Sequence, residues 1–468
     1  MLLKNETVLD VAVLRLYIYL FMSSTTSENA IASLAVSSVT YQQTIMYAAI
    51  IGIAGGFVAT AYYYTLEGSL HLVWHTIPEL LRPYLPTAIA VGNYIWIATT
   101  IGGFLVGLSL HFMGLPGEVA FVVDKVHQPG RISPKQSPAM IVASLISITF
   151  GGSAGPEAPL VQVNGSIGGW IGEKLQFSAT TIRVLTFCGM SAALGAFFGA
   201  PLGGALFALE IPHRRGIEYY EAMVPAVLSA ILSFCVFRLN TGLTIGGMYH
   251  FAAIAPLTLW NLLQGALLGV AGALVAVIFV VIFRSVGYLT KYIEHHTILL
   301  ATLGGLSIGI IAYVFPQTLF FGEKEINTIV ETGANFGLVM LVAIALAKML
   351  AVSCTLHSGF RGGFIFPLFY IGAAVGLAIA LGIPQVHPTI AMVCMMAAVN
   401  VAITKTPIST TVILSVLSDT AMVPVLAIAS FTSFLLTTQV CLISTQRSRS
   451  ITQQEPLPVA MYSIPSQV

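Results

Sequence analysis

Two short stretches of the chain carry residue types whose spacing suits the handling of an ion. The first is GGSAGPEAPLV at 151–161, where Glu157 stands between two prolines with no other charged residue from Lys135 to Glu173. The second is GGFIFP at 362–367. In each, a Gly-rich break is followed by a proline and then by an apolar run. Proline suits a first helical turn because its missing N–H is not needed there. A helix that starts at such a break has unpaired backbone N–H groups, and these act with the helix dipole to attract anions. A third break, FMGLPGE, lies at 112–118. Taken singly, each motif also reads as glycine and proline allowing close packing or a kink.

Glu157 makes the ionic reading sharper. A charge at the centre of a bilayer costs roughly 2.5–3.5 kcal/mol on insertion scales. One helix N-terminus returns typically about 0.3–1 kcal/mol, up to ~2 when partly buried. A single helix end does not offset the cost. Either several ends converge on the carboxylate, or it spends time protonated, or it competes with a mobile anion for the same N–H groups. All three point to ion transport, with Glu157 as a tethered anion.

Other reactive residues read more plainly. Glu210, in APLGGALFALEIPHRRG, is expected at a membrane boundary, paired with Arg214 or Arg215 beside His213. The histidines form no metal-ligand pattern, so neither metal nor cofactor is expected. GGSAG at 151–155 has the look of a serine nucleophile loop, which makes an intramembrane serine protease an alternative. That chemistry needs a base within reach of Ser153. His357 and His387 are the candidates, neither has a supporting pattern, and the chain is not read as an enzyme.

These residues are carried by a chain of 468 residues that is 57% hydrophobic and 8% charged, with a mean hydropathy of +0.91. About 20 apolar residues span a bilayer as a helix. Charge-free stretches of that length or more recur at 87–117, 184–209, 239–283, 295–322, 362–404 and 420–446. The fold class is therefore an all-α polytopic membrane protein; a β-barrel would alternate in short segments. The net charge of +1 leaves no footprint for nucleic acid. The five cysteines have neither metal-like nor disulfide-like spacing. No clean signal-peptide core exists in the first 22 residues. Residues 1–40 read as an N-terminal helix and linker, 41–240 and 241–444 as two membrane repeats, and 445–468 as a short disordered tail with no regulatory domain after it. If the Lys/Arg at Lys4, Arg214, Arg215, Arg447 and Arg449 are cytoplasmic, both termini are inside.

The division into repeats rests on internal matches. Gly155, Pro159, Leu160 and Gly168 align at one offset with Gly363, Pro367, Leu368 and Gly376. Cys188, Met190, Ala192, Ala196 and Pro201 align at a second, nearly equal offset with Cys394, Met396, Ala398, Ala402 and Pro407. Two motifs recurring in order favour a duplicated transporter body.

Over about residues 40–440 the chain resembles the CLC family of chloride channels and chloride/proton exchangers, as a divergent prokaryotic-type member. GPEAP at 155–159 is similar to the family's G-[KR]-E-G-P motif and GGFIFP to its G-x-F-x-P motif. APLGGALFALE at 200–210, KTPISTTVIL at 405–414 and FFGEKEI at 320–326 are similar to further family segments in the same order. The resemblance implies inverted repeats of tilted and broken helices, a homodimer with one pore per subunit, and a place in the prokaryotic inner membrane. It implies that Glu157 is the gating glutamate and that a small anion, chloride first, is the partner. Anion contacts would come from Met113 and Gly114, from Gly155, Pro156 and Ala158, and from Gly363, Phe364, Ile365 and Phe366. Three departures stand out. Met113 replaces the family's anion-coordinating serine, as also happens in the fluoride-exporting branch. Ile211 replaces the internal proton-relaying glutamate, which leaves the adjacent Glu210 as the candidate on the intracellular proton side. LLTTQVCLISTQRS has no match for the family's late tyrosine. Weak proton coupling, poor anion discrimination and fluoride as an alternative substrate follow.

Overall fold

The computed structural model describes residues 39–81, 92–114, 117, 119–243, 249–418 and 420–447. The helix and linker expected over 1–40 lie almost wholly outside them.

Sixteen helices fall into two series of eight among the described residues. The first is α1 (Tyr41–His71, carried on by a π-helical turn to Leu81), α2 (Gly92–Met113), α3 (Val119–His127), α4 (Ser137–Thr149), α5 (Glu157–Lys174), α6 (Ala179–Phe198), α7 (Pro201–Glu210) and α8 (Met223–Thr241). The second is α9 (Leu259–Thr290), α10 (Thr297–Val314), α11 (Glu323–Thr332), α12 (Gly337–His357), α13 (Ile365–Gly382), α14 (Pro388–Thr404), α15 (Pro407–Leu417) and α16 (Val423–Leu436). Eight helical stretches among the described residues are long and apolar enough to cross a bilayer.

The series repeat each other in their stabilising chemistry. Hydrocarbon offers no partner for free helix ends, so they must be satisfied internally. Both α1 and α9 open with a capping box, Thr40 with Gln43 and Thr258 with Asn261. Both then pack through a small-residue ridge. Gly52 and Gly56 of α1 lie against the backbone of Ser229 and Ser233 in α8, and Gly265 and Gly269 of α9 against Val425 and Ala429 in α16. A Cβ at any of the four would overlap the facing helix, its backbone at Gly52, Gly56 and Gly269 and the Val425 side chain at Gly265, so helix approach rather than hydrophobicity selects glycine. Across the halves, α2 packs on α10 and α7 on α15.

Buried charges are likewise paired with backbone. Lys348 on α12 is fully buried, and its ammonium donates to the carbonyls of Thr318, Leu319 and Phe320 at 3.1, 3.2 and 2.8 Å. Those three bonds hold the segment that leads into α11. Lys405, at the end of α14, bonds the carbonyls of Ala402 and Thr437. The tail expected to be disordered from Thr445 starts as packed chain. Thr445 donates to Ala120, Gln446 to Ile211 and Thr404, and Arg447 pairs with Asp124.

Candidate functional site

Both Gly-rich breaks interrupt the helical series at the same step, between α4 and α5 and between α12 and α13. Gly151 (φ +90) and Gly359 (φ +94) turn the chain out of the preceding helix in a conformation that suits glycine. The two breaks then meet as antiparallel backbone: Gly155 donates to the Gly363 carbonyl at 2.7 Å, and Gly363 to that of Gly155 at 2.6 Å. Ser153 N–H is satisfied by the Thr355 hydroxyl at 3.0 Å. The internal match read from the sequence is thus a physical contact.

Glu157 opens α5 and is 2% exposed. Its Oε1 accepts from the Ile365 amide at 2.9 Å, at the start of α13. Its Oε2 has no hydrogen-bond partner among the described residues. The carboxylate lies over Gly155 and Gly363, where a Cβ would overlap it. These two glycines therefore make room for the acid as well as for the backbone bridge. Pro156, with no amide hydrogen, is the residue before the helix and donates nothing to an anion.

Glu157 and Ala158 border a cavity of about 40 Å³ shared with Phe364, Ile365 and Ile211. Apart from Glu157 its lining residues are all non-titratable. The ring of Phe366 points away into a cluster with Phe197, Phe198 and Phe321, leaving only its backbone for the site. A second cavity, of about 120 Å³, lies beyond a wall of Val119, Ala158 and Phe364, which line both. Leu442 and Ile443, from the stretch without a match for the family's late tyrosine, line it together with Arg361 and His357.

Charged residues of both signs stand at either end of α8. α8 has 19 residues, so at about 1.5 Å per residue it is ~28 Å long. Its start follows the short link from Glu210. Near its far end Arg238 shares a cavity of about 40 Å³ with Pro156, Glu67 and Glu323. Beyond lies a cavity of about 260 Å³ lined by Glu67, Glu323, Glu325, His71, His75 and Lys324. Lys324 pairs with Glu67 at 3.0 Å. At the other face stand Arg214, bonded to the Gln446 carbonyl at 2.9 Å, and Arg447.

Two sequence expectations are corrected, and one alternative finds no support. Glu210 is not an interfacial acid paired with arginine. It is fully buried, and it accepts from Ile408 N–H at 3.2 Å, Ser409 N–H at 2.8 Å and Ser409 Oγ at 2.6 Å. The carboxylate closes the start of α15, an interaction between helices that sequence proximity to Arg214 hid. Met113 and Gly114 are not brought to Glu157. Met113 is 44% exposed at the end of α2, Gly114 follows it, and neither borders either cavity. Leu115, Pro116 and Glu118 of that break lie outside the described residues. The alternative, a protease, is not supported by the geometry: Ser153 Oγ bonds no histidine, His387 caps α14, and the His357 ring lies tilted against Phe283. Arg361 was missed, although it is the sole Asp, Glu, Lys or Arg between Lys348 and Lys405.

A duplicated membrane body whose broken helices meet around one carboxylate defines a transport protein for small anions. The profile described as voltage gated chloride channel matches residues 102–438, and the chain belongs to that family. It is 29% identical over 374 residues, covering 78% of this chain and 80% of the relative, to the "Chloride/fluoride channel protein" of Pseudomonas syringae pv. tomato. Solved structures of a CLC-type fluoride/proton antiporter and of a slow cyanobacterial Cl⁻/H⁺ antiporter superpose with TM-scores of 0.71 and 0.73. Each is 19% identical, and they cover 88% and 89% of this chain and all of their own. The fold is the CLC-type inverted repeat of tilted and broken helices, in a multi-pass membrane protein that transports anions.

Proposed function

We propose that the protein moves chloride past Glu157, which closes the path when ionised and opens it when protonated. The bond from Ile365 N–H to Oε1, with Oε2 buried and unpaired on a residue that borders a cavity, is the observation that carries this reading. A carboxylate oxygen and a halide compete for the same amide. In this reading Ala158, Phe364, Ile365 and Phe366 supply the backbone around the anion, and Gly155 and Gly363, whose amides are spent on their mutual bridge, hold the two breaks together. The subunit works as a homodimer with one path each, in a prokaryotic inner membrane, with both termini cytoplasmic. Ile211 carries no proton, and the cavity between it and Glu157 has no other titratable lining residue, so proton coupling is weak. Fluoride is the second reading, favoured by the relative named for both halides and by the fluoride/proton antiporter fold.

The test is anion efflux from liposomes carrying the purified protein, with chloride and fluoride measured separately. Efflux that rises as pH falls in the wild type, and loses that dependence in Glu157→Gln, supports the proposal. No protein-dependent efflux of either ion at any pH overturns it.

A further inference from the structure

The α2–α10 pair ends at a group of histidines remote from the gate. Gly103 and Gly107 of α2 lie against the backbone of Ala301 and Ile298 in α10. His111 stands four residues after Gly107, one turn further along the same face. His295 and His296 directly precede α10. The close approach of the two helices thus brings His111 to the start of α10. The three histidines border one open groove of about 500 Å³ with Thr297, Leu299 and Thr302. None of these residues borders the cavity at Glu157 or the one beyond its wall. The groove lies at a membrane boundary, because the stretches Leu259–Ile293 and Thr297–Val314 are each long and apolar enough to cross a bilayer and only Glu294, His295 and His296 join them. Exposed Tyr288 and Tyr292 stand just before this link, as aromatic residues do where hydrocarbon meets headgroups. Arg284 of α9 bonds the Cys441 carbonyl at 2.8 Å and Arg214 reaches the Cys441 sulfur, so this end of α9 belongs to the face that carries Arg214 and Arg447.

The donors around the groove suit a ligand with several acceptor oxygens. A neutral imidazole offers one N–H and an imidazolium two. α10 opens with no side-chain cap, which leaves its first amides as further donors. No Asp or Glu is among the described residues that line the groove, and Lys291 and Glu294 beside it offset each other. The described residues hold no set of three His, Cys, Asp or Glu placed for a metal ion, so the donors surround something larger. Leu299, 49% exposed, lines the same groove, and Phe112, 75% exposed, follows His111. Polar donors with apolar side chains beside them match an amphiphile at the bilayer edge. We propose that the groove binds the phosphate headgroup of an anionic phospholipid, with His111, His295 and His296 as donors and the acyl chains along Leu299 and Phe112. The bound lipid clamps the end of α2 to the start of α10.

The test titrates phosphatidylglycerol into the full-length protein in detergent, with phosphatidylcholine as the zwitterionic control, and counts bound lipid by native mass spectrometry. In His111→Ala/His295→Ala/His296→Ala, phosphatidylglycerol should bind about tenfold more weakly, equivalent to ~1.4 kcal/mol, and phosphatidylcholine as before. No loss, or an equal loss for both lipids, overturns the proposal. Inorganic phosphate that displaces phosphatidylglycerol at the lipid's own concentration also overturns it, since the occupant would then be a free anion. Because the triple variant can fail to fold, a second measurement uses the wild type. Diethylpyrocarbonate modification, read residue by residue by mass spectrometry, should be slower at the three histidines in phosphatidylglycerol vesicles than in phosphatidylcholine vesicles. His71 and His75, which line the acidic cavity instead, should react alike in both. Equal rates at all five histidines sink the inference. Neither measurement reads anion flux, so failure here leaves the transport reading standing.

Discussion

Glu157 and Glu210 are the same chemical device used twice. Each is a buried carboxylate from the first helical series, turned onto the N-terminal amides of a helix in the second: α13 for Glu157, α15 for Glu210. The surroundings separate them. Glu210 receives three hydrogen bonds, shared over both oxygens. Glu157 receives one resolved bond, leaves Oε2 buried without a partner, and borders a cavity. Hydrogen bonds to charged groups are worth about 1.5–3 kcal/mol each. Three exceed the ~2.5–3.5 kcal/mol cost of a charge at mid-membrane, whereas one falls short of it over most of its range. A saturated acid is an anchor between helices. A half-satisfied acid beside open space is exchangeable with a free anion.

The contrast is broken most directly at Glu157. Glu157→Gln removes the charge at nearly constant volume, and flux at neutral pH is expected to rise about tenfold, the consequence of ~1.4 kcal/mol lost from the closed state. Falling pH raises wild-type flux because protonation discharges the gate; the variant should be flat across the same range. Wild-type pH dependence in a folded Glu157→Gln protein would show that another group titrates. At Glu210 the same substitution should act on stability. Glu210→Gln leaves buried donors short of acceptors and should cost about 1–3 kcal/mol, seen as a lower thermal midpoint in detergent, with the pH dependence of flux intact. If it flattens the pH profile instead, the two acids are not separable in role.

Gly363→Ala tests whether room for the carboxylate is what closes the gate. Its Cβ overlaps the Glu157 side chain, so the Glu157–Ile365 bond should be lost and flux at neutral pH should rise. Glu157→Ala in the same chain relieves the overlap, and a double-mutant cycle on the thermal midpoint should give a coupling of about 0.5–3 kcal/mol. Additive effects would remove the steric link. Ile211→Glu probes the far end of the gate's cavity. Wild-type liposomes under an anion gradient should move almost no protons uphill; the variant should gain a small, measurable proton current. The smallest effect is expected at Met113→Ser. The residue borders neither cavity, so the permeability series should stay unchanged, contrary to the sharpening that its alignment with the family's serine suggests.

Much of this was legible from residue order. Glu157 announced itself by being one charge in a long apolar run, and the paired breaks by their repeated glycine and proline. Low charge and long apolar runs leave the chain no option but a helical membrane body, because hydrocarbon satisfies no free backbone groups. What sequence does not carry is distance between residues remote in the chain. That Gly155 bonds Gly363, that Glu157 reaches Ile365, and that Glu210 turns to Ser409 rather than to nearby Arg214 depend on which helices pack together. Arg361 shows the same limit: its charge is visible in the sequence, but a cavity beside the gate exists only once α5, α12 and α13 have converged. Composition and periodicity are local properties and determine the helices and their solvent. The number of donors around each carboxylate, which separates anchor from gate, is a property of the packed fold.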